Sequence, residues 1–171
     1  MKNVRTIVFM GLFIALNIVF TRILSIQTPI VRIGFSFLPI AISAIMFGPM
    51  IGGVTAAIAD IIGVMLFPPQ GGFFPGFTLS AFLGGVIYGL FLYKRPVTII
   101  RTGISVLMIK LFVDLGLNTV WLSILWNKGV LAILPSRIIS NAAMLPIQIV
   151  VIFLVWRAIG DVVNRQAASR V

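Results

Sequence analysis

Leu66 to Phe91 read LFPPQGGFFPGFTLSAFLGGVIYGLF: an apolar run stops at a knot of prolines and glycines, then resumes with small residues four apart. Pro68, Pro69 and Pro75 cannot continue a helix, while Gly71, Gly72 and Gly76 permit backbone conformations that other residues resist. The stretch is therefore a connection between two apolar helices, stiff at its ends and pliable at its centre. Downstream, Ala81, Gly85 and Gly89 recur every fourth residue, as do Ser80 and Gly84, which leaves a shallow strip where another helix can lie at close range. Between the prolines stand Phe73 and Phe74. Their residue type leaves two readings open: rings that anchor the loop at a membrane surface, or a lid that offers ring faces to a ligand.

The whole chain has the same character. Its 171 residues are 60% hydrophobic and only 9% charged, and the mean hydropathy is +1.20. An ordinary soluble domain is about half apolar and about a quarter charged. A core of this size cannot hide that excess, so the bilayer is the natural solvent. The expected fold class is an all-α integral membrane protein. Cutting at polar, Pro and Gly clusters gives six spans, about 6–24, 34–47, 50–66, 77–93, 98–125 and 136–158, in one transmembrane domain covering 1–171. The first span is too long for a signal-peptide core and no convincing cleavage site follows it, so it is read as retained.

Cys, His and Glu are absent and Asp occurs three times, which removes thiol chemistry, zinc sites and imidazole catalysis. No catalytic residue, metal site or cofactor is expected. The net charge of +10 does not point to nucleic acid, because the basic residues sit at the ends of apolar runs, where they orient the chain among membrane lipids. Lys2, Arg5, Lys94, Arg95, Arg101, Arg157, Arg165 and Arg170 fall on the side of the N-terminus, and this bias predicts that both termini are cytoplasmic. Arg22, Arg32, Lys128 and Arg137 fall on the outer side, against the bias. Arg22 and Arg137 lie near span ends, where snorkelling explains them; the four together, with no acidic residue in the outer connections, read as a site for an anion.

Polar residues also occur inside the spans, where they cannot face lipid cheaply. At 100° per residue Lys110, Asp114, Asn118 and Trp121 project at roughly 0°, 40°, 80° and 20°, sharing one face of the fifth helix. Arg137, Asn141, Met144 and Gln148 share a face of the sixth. Lys110, Asp114 and Gln148 lie toward mid-membrane and read as structural groups: an i,i+4 ion pair and interhelical amide bonding. Asn118, Trp121, Arg137 and Asn141 lie nearer the outer loop and read as ligand contacts. Asp60 is left with two readings, a partner for Lys110 or an acceptor for ligand N–H groups. Gly11 and Ala15 form a small-residue strip on the first helix, suited to packing or to docking a partner subunit. No phosphate-binding loop is present, so any ATP-driven step needs other subunits.

Four blocks in order, RIGFSFLPI, PPQGGFFPGFTLSAFLGGVIYGLFL, LNTVWLSILW and LPSRIISNAAMLPIQ, resemble the folate-specific substrate-binding (S) components of energy-coupling-factor (ECF) vitamin transporters. The resemblance spans most of the chain. It implies a six-helix S-component bundle that binds folate or a related pterin from outside, is not an enzyme, and delivers its cargo with a transmembrane coupling subunit and two cytoplasmic ATPase subunits. It further implies that Gly11 and Ala15, standing where the family commonly has Ala-x-x-x-Ala, meet the coupling subunit. Phe74 and Trp121 would then sandwich the flat ring, amide or carboxylate groups such as Asp60, Asn118 and Asn141 would read its edge, and outer arginines would hold the glutamate tail, Arg32 and Arg137 in preference to Arg22, which is closer to the body of the first span and better explained by snorkelling. An S component for biotin or riboflavin, or a small membrane scaffold without transport, remains an alternative; cationic thiamine would be repelled by the outer arginines.

Overall fold

The computed structural model describes residues 2–27, 32–68 and 72–168. The chain is helical almost throughout: α1 (Lys2–Arg22), α2 (Phe37–Phe47), α3 (Pro49–Leu66), α4 (Pro75–Leu92), α5 (Ile99–Met108), a π-helical segment (Ile109–Leu117), α6 (Asn118–Trp126) and α7 (Val130–Ala168). α5, the π segment and α6 follow one another without interruption, so the bundle has six helical rods. The connection between α1 and α2 holds a two-residue antiparallel ribbon, β1 (Ile26–Gln27) with β2 (Arg32–Ile33), too small to alter the all-helical class.

Four helices carry stretches long and apolar enough to cross a membrane: Val4–Arg22, Pro49–Leu66, Pro75–Leu92 and Val130–Gly160. Their lipid-side faces keep large apolar residues in the open, among them Ile7, Val8, Met65, Leu90 and Val150, and the fifth rod does the same with Ile100 and Phe112. Inside, Ser43, Thr55, Thr102, Ser105 and Thr119 are fully buried. Apolar outside and polar inside is the arrangement a lipid solvent selects. α2 is the exception in length; its 11 residues rise only about 16 Å, roughly half a hydrocarbon core. A single residue, Gly48, joins it to α3, at φ 99°. That left-handed turn suits glycine, and Pro49 follows at the first helical position.

α3 and α4 make the closest contact in the bundle, because glycine meets backbone on both sides. A Cβ placed on Gly85 would stand 2.4 Å from the Gly52 carbonyl oxygen, and one on Gly89 2.3 Å from Pro49 Cα. The small-residue strip on α4 is thus the bed for α3, but only along Gly85 and Gly89. A Cβ at Gly84 would meet nothing within 4 Å; that position faces the cavity described below. On the other flank Phe37, Ala41, Ile45, Tyr88, Leu92, Val106, Ile109, Val113, Met144 and Ile152 form a core that ties α2, α4, the fifth rod and α7 together.

The sixth rod starts earlier than the sequence reading has it. α7 begins at Val130 and runs through Pro135 and Pro146, leaving only 127–129 as the connection from α6. Each proline removes one backbone donor, and the carbonyl freed by Pro135, that of Leu131, belongs to a residue that is 84% exposed. Asn17 secures α1 by donating from Nδ2 to the Ser36 carbonyl oxygen at 2.8 Å, at the threshold of α2.

The glycine contact sets an expectation. Gly85→Val puts a branched side chain into backbone, and overpacking of this kind costs about 1–3 kcal/mol. Thermal unfolding in detergent should show a clear drop for Gly85→Val and none for Gly84→Ala.

Candidate functional site

A cavity of about 730 Å³ lies among α2, α3, α4, the fifth rod and α7, within the size range of small-molecule sites. At the end of the bundle away from the N-terminus it is lined by Arg22, Ser25, Gly34, Pro68, Gly72, Phe74 and Trp126, and further along by Asp60, Ser80, Gly84, Tyr88, Lys110, Asp114, Asn118, Arg137, Asn141, Met144 and Gln148. Small residues make the room: α4 turns Ser80, Ala81 and Gly84 toward it.

Two guanidinium groups belong to the cavity wall. Arg22 turns inward over Gly63, where an added Cβ would come 3.4 Å from its Nε. That nitrogen is buried without a hydrogen-bond partner among the described residues. An inward guanidinium with an unused donor is suited to an anion and does not fit simple snorkelling. Arg137 donates from Nη2 to the Asp114 carbonyl oxygen at 2.7 Å, which reaches across from α7 to the fifth rod. Arg32 lies in β2; its side chain is outside the described residues, as are Pro69, Gln70 and Gly71 of the expected lid.

Two carboxylates also line the cavity. Asp60 does not pair with Lys110; its Oδ2 accepts from Thr78 Oγ1 at 2.8 Å, and the group lines the cavity. Lys110 pairs instead with Asp114, Nζ to Oδ2 at 2.7 Å. Asp114 Oδ1 accepts from Asn118 Nδ2 at 3.1 Å. Lys110, Asp114 and Gln148, read from sequence as structural groups, therefore also belong to the cavity wall. They share helix faces with the expected ligand contacts, and that shared face was the signal; depth in the membrane did not separate the two roles.

The structure separates the three expected aromatic residues. Phe73 is 56% exposed and is not among the residues that line the cavity, whereas Phe74 is. Gly72 turns the chain at φ 76°, and Phe74 follows in an extended conformation at φ −128°, ψ 117°. Side chains alternate in extended chain, so one ring of the pair goes in and the other out. Trp121 does not line the cavity. Its indole packs on Phe74 with ring centroids 5.6 Å apart and donates from Nε1 to Ser80 Oγ at 3.1 Å. The two rings touch, so they do not form an open slot for a ligand. Gly76 makes their contact possible, since a Cβ there would fall 2.6 Å from both.

The reason for Trp121's place is the π segment. Hydrogen bonds from i to i+5 take up about one residue more per turn than an α-helix does, so the projection at 100° per residue fails across Ile109–Leu117. The cavity face runs through Lys110, Asp114, Asn118, Leu122 and Trp126, every fourth residue, and leaves Trp121 to one side. Nothing in the apolar sequence IKLFVDLGL signals that slip.

Gly11 and Ala15 lie on an exposed face of α1, and a Cβ at Gly11 would meet nothing within 4 Å. Among the described residues no group of His, Cys, Asp or Glu could hold a metal ion.

Comparison with known proteins agrees with this architecture. The Folate transporter FolT of Clostridium novyi (strain NT) is 46% identical over 169 residues, 98% of either chain. The Folate transporter FolT of Leuconostoc mesenteroides subsp. mesenteroides is 32% identical over 86% of this chain and 82% of its own. A solved structure described as "Crystal structure of FolT bound with folic acid" superposes with a TM-score of 0.81 at 36% identity, covering 87% of this chain and 89% of that one. A family model described as "ECF transporter, substrate-specific component" matches residues 5–156. With that match over most of its length, and with a polar cavity built inside an apolar helix bundle, the chain belongs to the substrate-specific components of ECF transporters.

Proposed function

We propose that this chain is the folate-binding component of an ATP-driven vitamin importer. The observation that carries the proposal is the set of groups gathered on one cavity wall: the guanidinium groups of Arg22 and Arg137, an aromatic ring at Phe74, and oxygen acceptors at Asp60 and Asn118. Folate offers the complementary set, a dicarboxylate tail, an aromatic middle and a pterin with N–H donors. The names carried by the two curated relatives and the folic acid in the related structure support the same cargo. Arg22 and Arg137, with Arg32 from the adjoining connection, hold the tail; Phe74 packs on a ring face; Asp60, Asn118 and Asn141 meet the pterin edge. Riboflavin, being neutral, does not call for the arginines.

The cavity end of the bundle faces outward and both termini face the cytoplasm, as the distribution of Lys and Arg favours. The chain works in a bacterial cell membrane with a transmembrane coupling subunit and two ATPase subunits. Its docking strip is Gly11 and Ala15, where the absence of bulk lets another helix approach α1.

The test is binding by the purified chain in detergent, without ATP. Titration calorimetry should give folic acid a Kd at least a hundredfold below those of riboflavin, thiamine and biotin; equal or weaker binding of folic acid ends the proposal. Gly84→Phe, which fills the cavity from its open wall, should keep the unfolding temperature within a few degrees and weaken folic acid at least tenfold. Ala15→Trp should retain folate binding but abolish co-purification with the coupling subunit and uptake into cells. Normal assembly with that variant places the contact elsewhere.

A further inference from the structure

Gln148 carries a buried amide that the protein itself leaves unpaired. It lies on α7, is 7% exposed and lines the cavity. Its side chain makes no hydrogen bond among the described residues, yet neither its nitrogen nor its oxygen is closed off, and the surface they keep inside the bundle is the cavity's. Tyr88 on α4 repeats the pattern at 3% exposed, with a hydroxyl that is open and unpaired among the described residues. It stands thirteen residues beyond Pro75, about 20 Å along the helix, so the cavity reaches far past the loop. Met144, one turn before Gln148, belongs to the same buried core as Tyr88. Polar groups left unpaired in such a place are unfavourable, and a ligand that pairs with them is selected.

A side-chain amide presents a donor and an acceptor side by side, and pairs with a neighbouring acceptor and donor on the rim of a heterocycle. The pyrimidine ring of a pterin has such a pair, N3–H beside the 4-oxo oxygen. Because no group among the described residues holds the Gln148 amide, nothing fixes which end faces which way, and it can turn over. Turned over, it matches the reversed pair of a 4-amino pteridine, an N3 acceptor beside an N–H donor. We propose that Gln148 is a specificity-determining contact for the pyrimidine edge, and that its free amide admits 4-oxo and 4-amino pteridines alike. The ligand class then extends from folates to 2,4-diaminopteridine antifolates. The Tyr88 hydroxyl, which donates or accepts by rotating, follows either arrangement. The inference rests on the folate reading and adds a contact to it.

The experiment measures three ligands on purified protein in detergent: folic acid, its 4-amino-4-deoxy analogue, and 3-methylfolic acid, which carries a methyl group where the amide must approach. The wild type should bind the first two within tenfold of each other and 3-methylfolic acid at least a hundredfold more weakly than folic acid. Gln148→Ala removes the amide and opens room for the methyl group, and should bring the preference for folic acid over 3-methylfolic acid below tenfold. If Gln148 only supports the fold, its loss weakens both ligands by the same factor and the preference stays, which overturns the inference. Should Gln148→Ala fail to fold, Gln148→Ser decides by the same ratio. A wild type that binds the 4-amino analogue more than tenfold below folic acid, or that accepts 3-methylfolic acid, also overturns this inference alone. A wild type that binds no folic acid overturns the folate reading and this inference with it.

Discussion

The approach of α3 and α4 at Gly52, Gly85 and Gly89 is the constraint on which the rest of the bundle depends. In lipid there is no hydrophobic force to drive two apolar helices together, so close packing of backbone must do it, and only residues without side chains permit that distance. Seating α3 there leaves the adjoining flank of α4, with Ser80, Ala81 and Gly84, facing the cavity. One helix thus performs two tasks with the same small residues: tight contact along one line and empty space along the next.

Polar groups then fill the space according to what each can satisfy. Asp60 is tied to Thr78 and Asp114 to Lys110 and Asn118. The π segment is central to this, because its wider turn brings Lys110, Asp114 and Asn118 onto one line with Leu122 and Trp126. A regular α-helix would put Trp121 on that line. Stretches of π-helix recur at functional sites for this reason: they change which side chains face a cavity without breaking the helix.

Much of this was legible in the sequence. The excess of apolar residues, the break at PPQGGFFPG and the inward polar stripes each follow from a single physical rule, the exclusion of polar groups from lipid, and they specify a six-rod bundle whose cavity reaches that break. Arg22, Asp60, Phe74, Asn118, Arg137 and Asn141 meet in one cavity. What the sequence did not carry depends on backbone detail: the side to which Phe73 turns, the slip that removes Trp121 from the wall, and the difference between Gly84 and Gly85. Glycine has no side chain to declare a direction, and adjacent glycines on one helix look alike until the neighbouring helix is in place.

The stack of Phe74 against Trp121 has an optical consequence. An indole hydrogen-bonded to Ser80 sits directly behind the ring that lines the cavity, and a second, Trp126, forms part of the wall itself. The chain has three tryptophans in all, so two of them report on the cavity and the third, Trp156, packs against the core. A ligand that presses on Phe74 changes the polarity around Trp121 without touching it. The protein carries its own fluorophores at the site, and occupancy can be followed by intrinsic emission, with Trp156 as an internal reference.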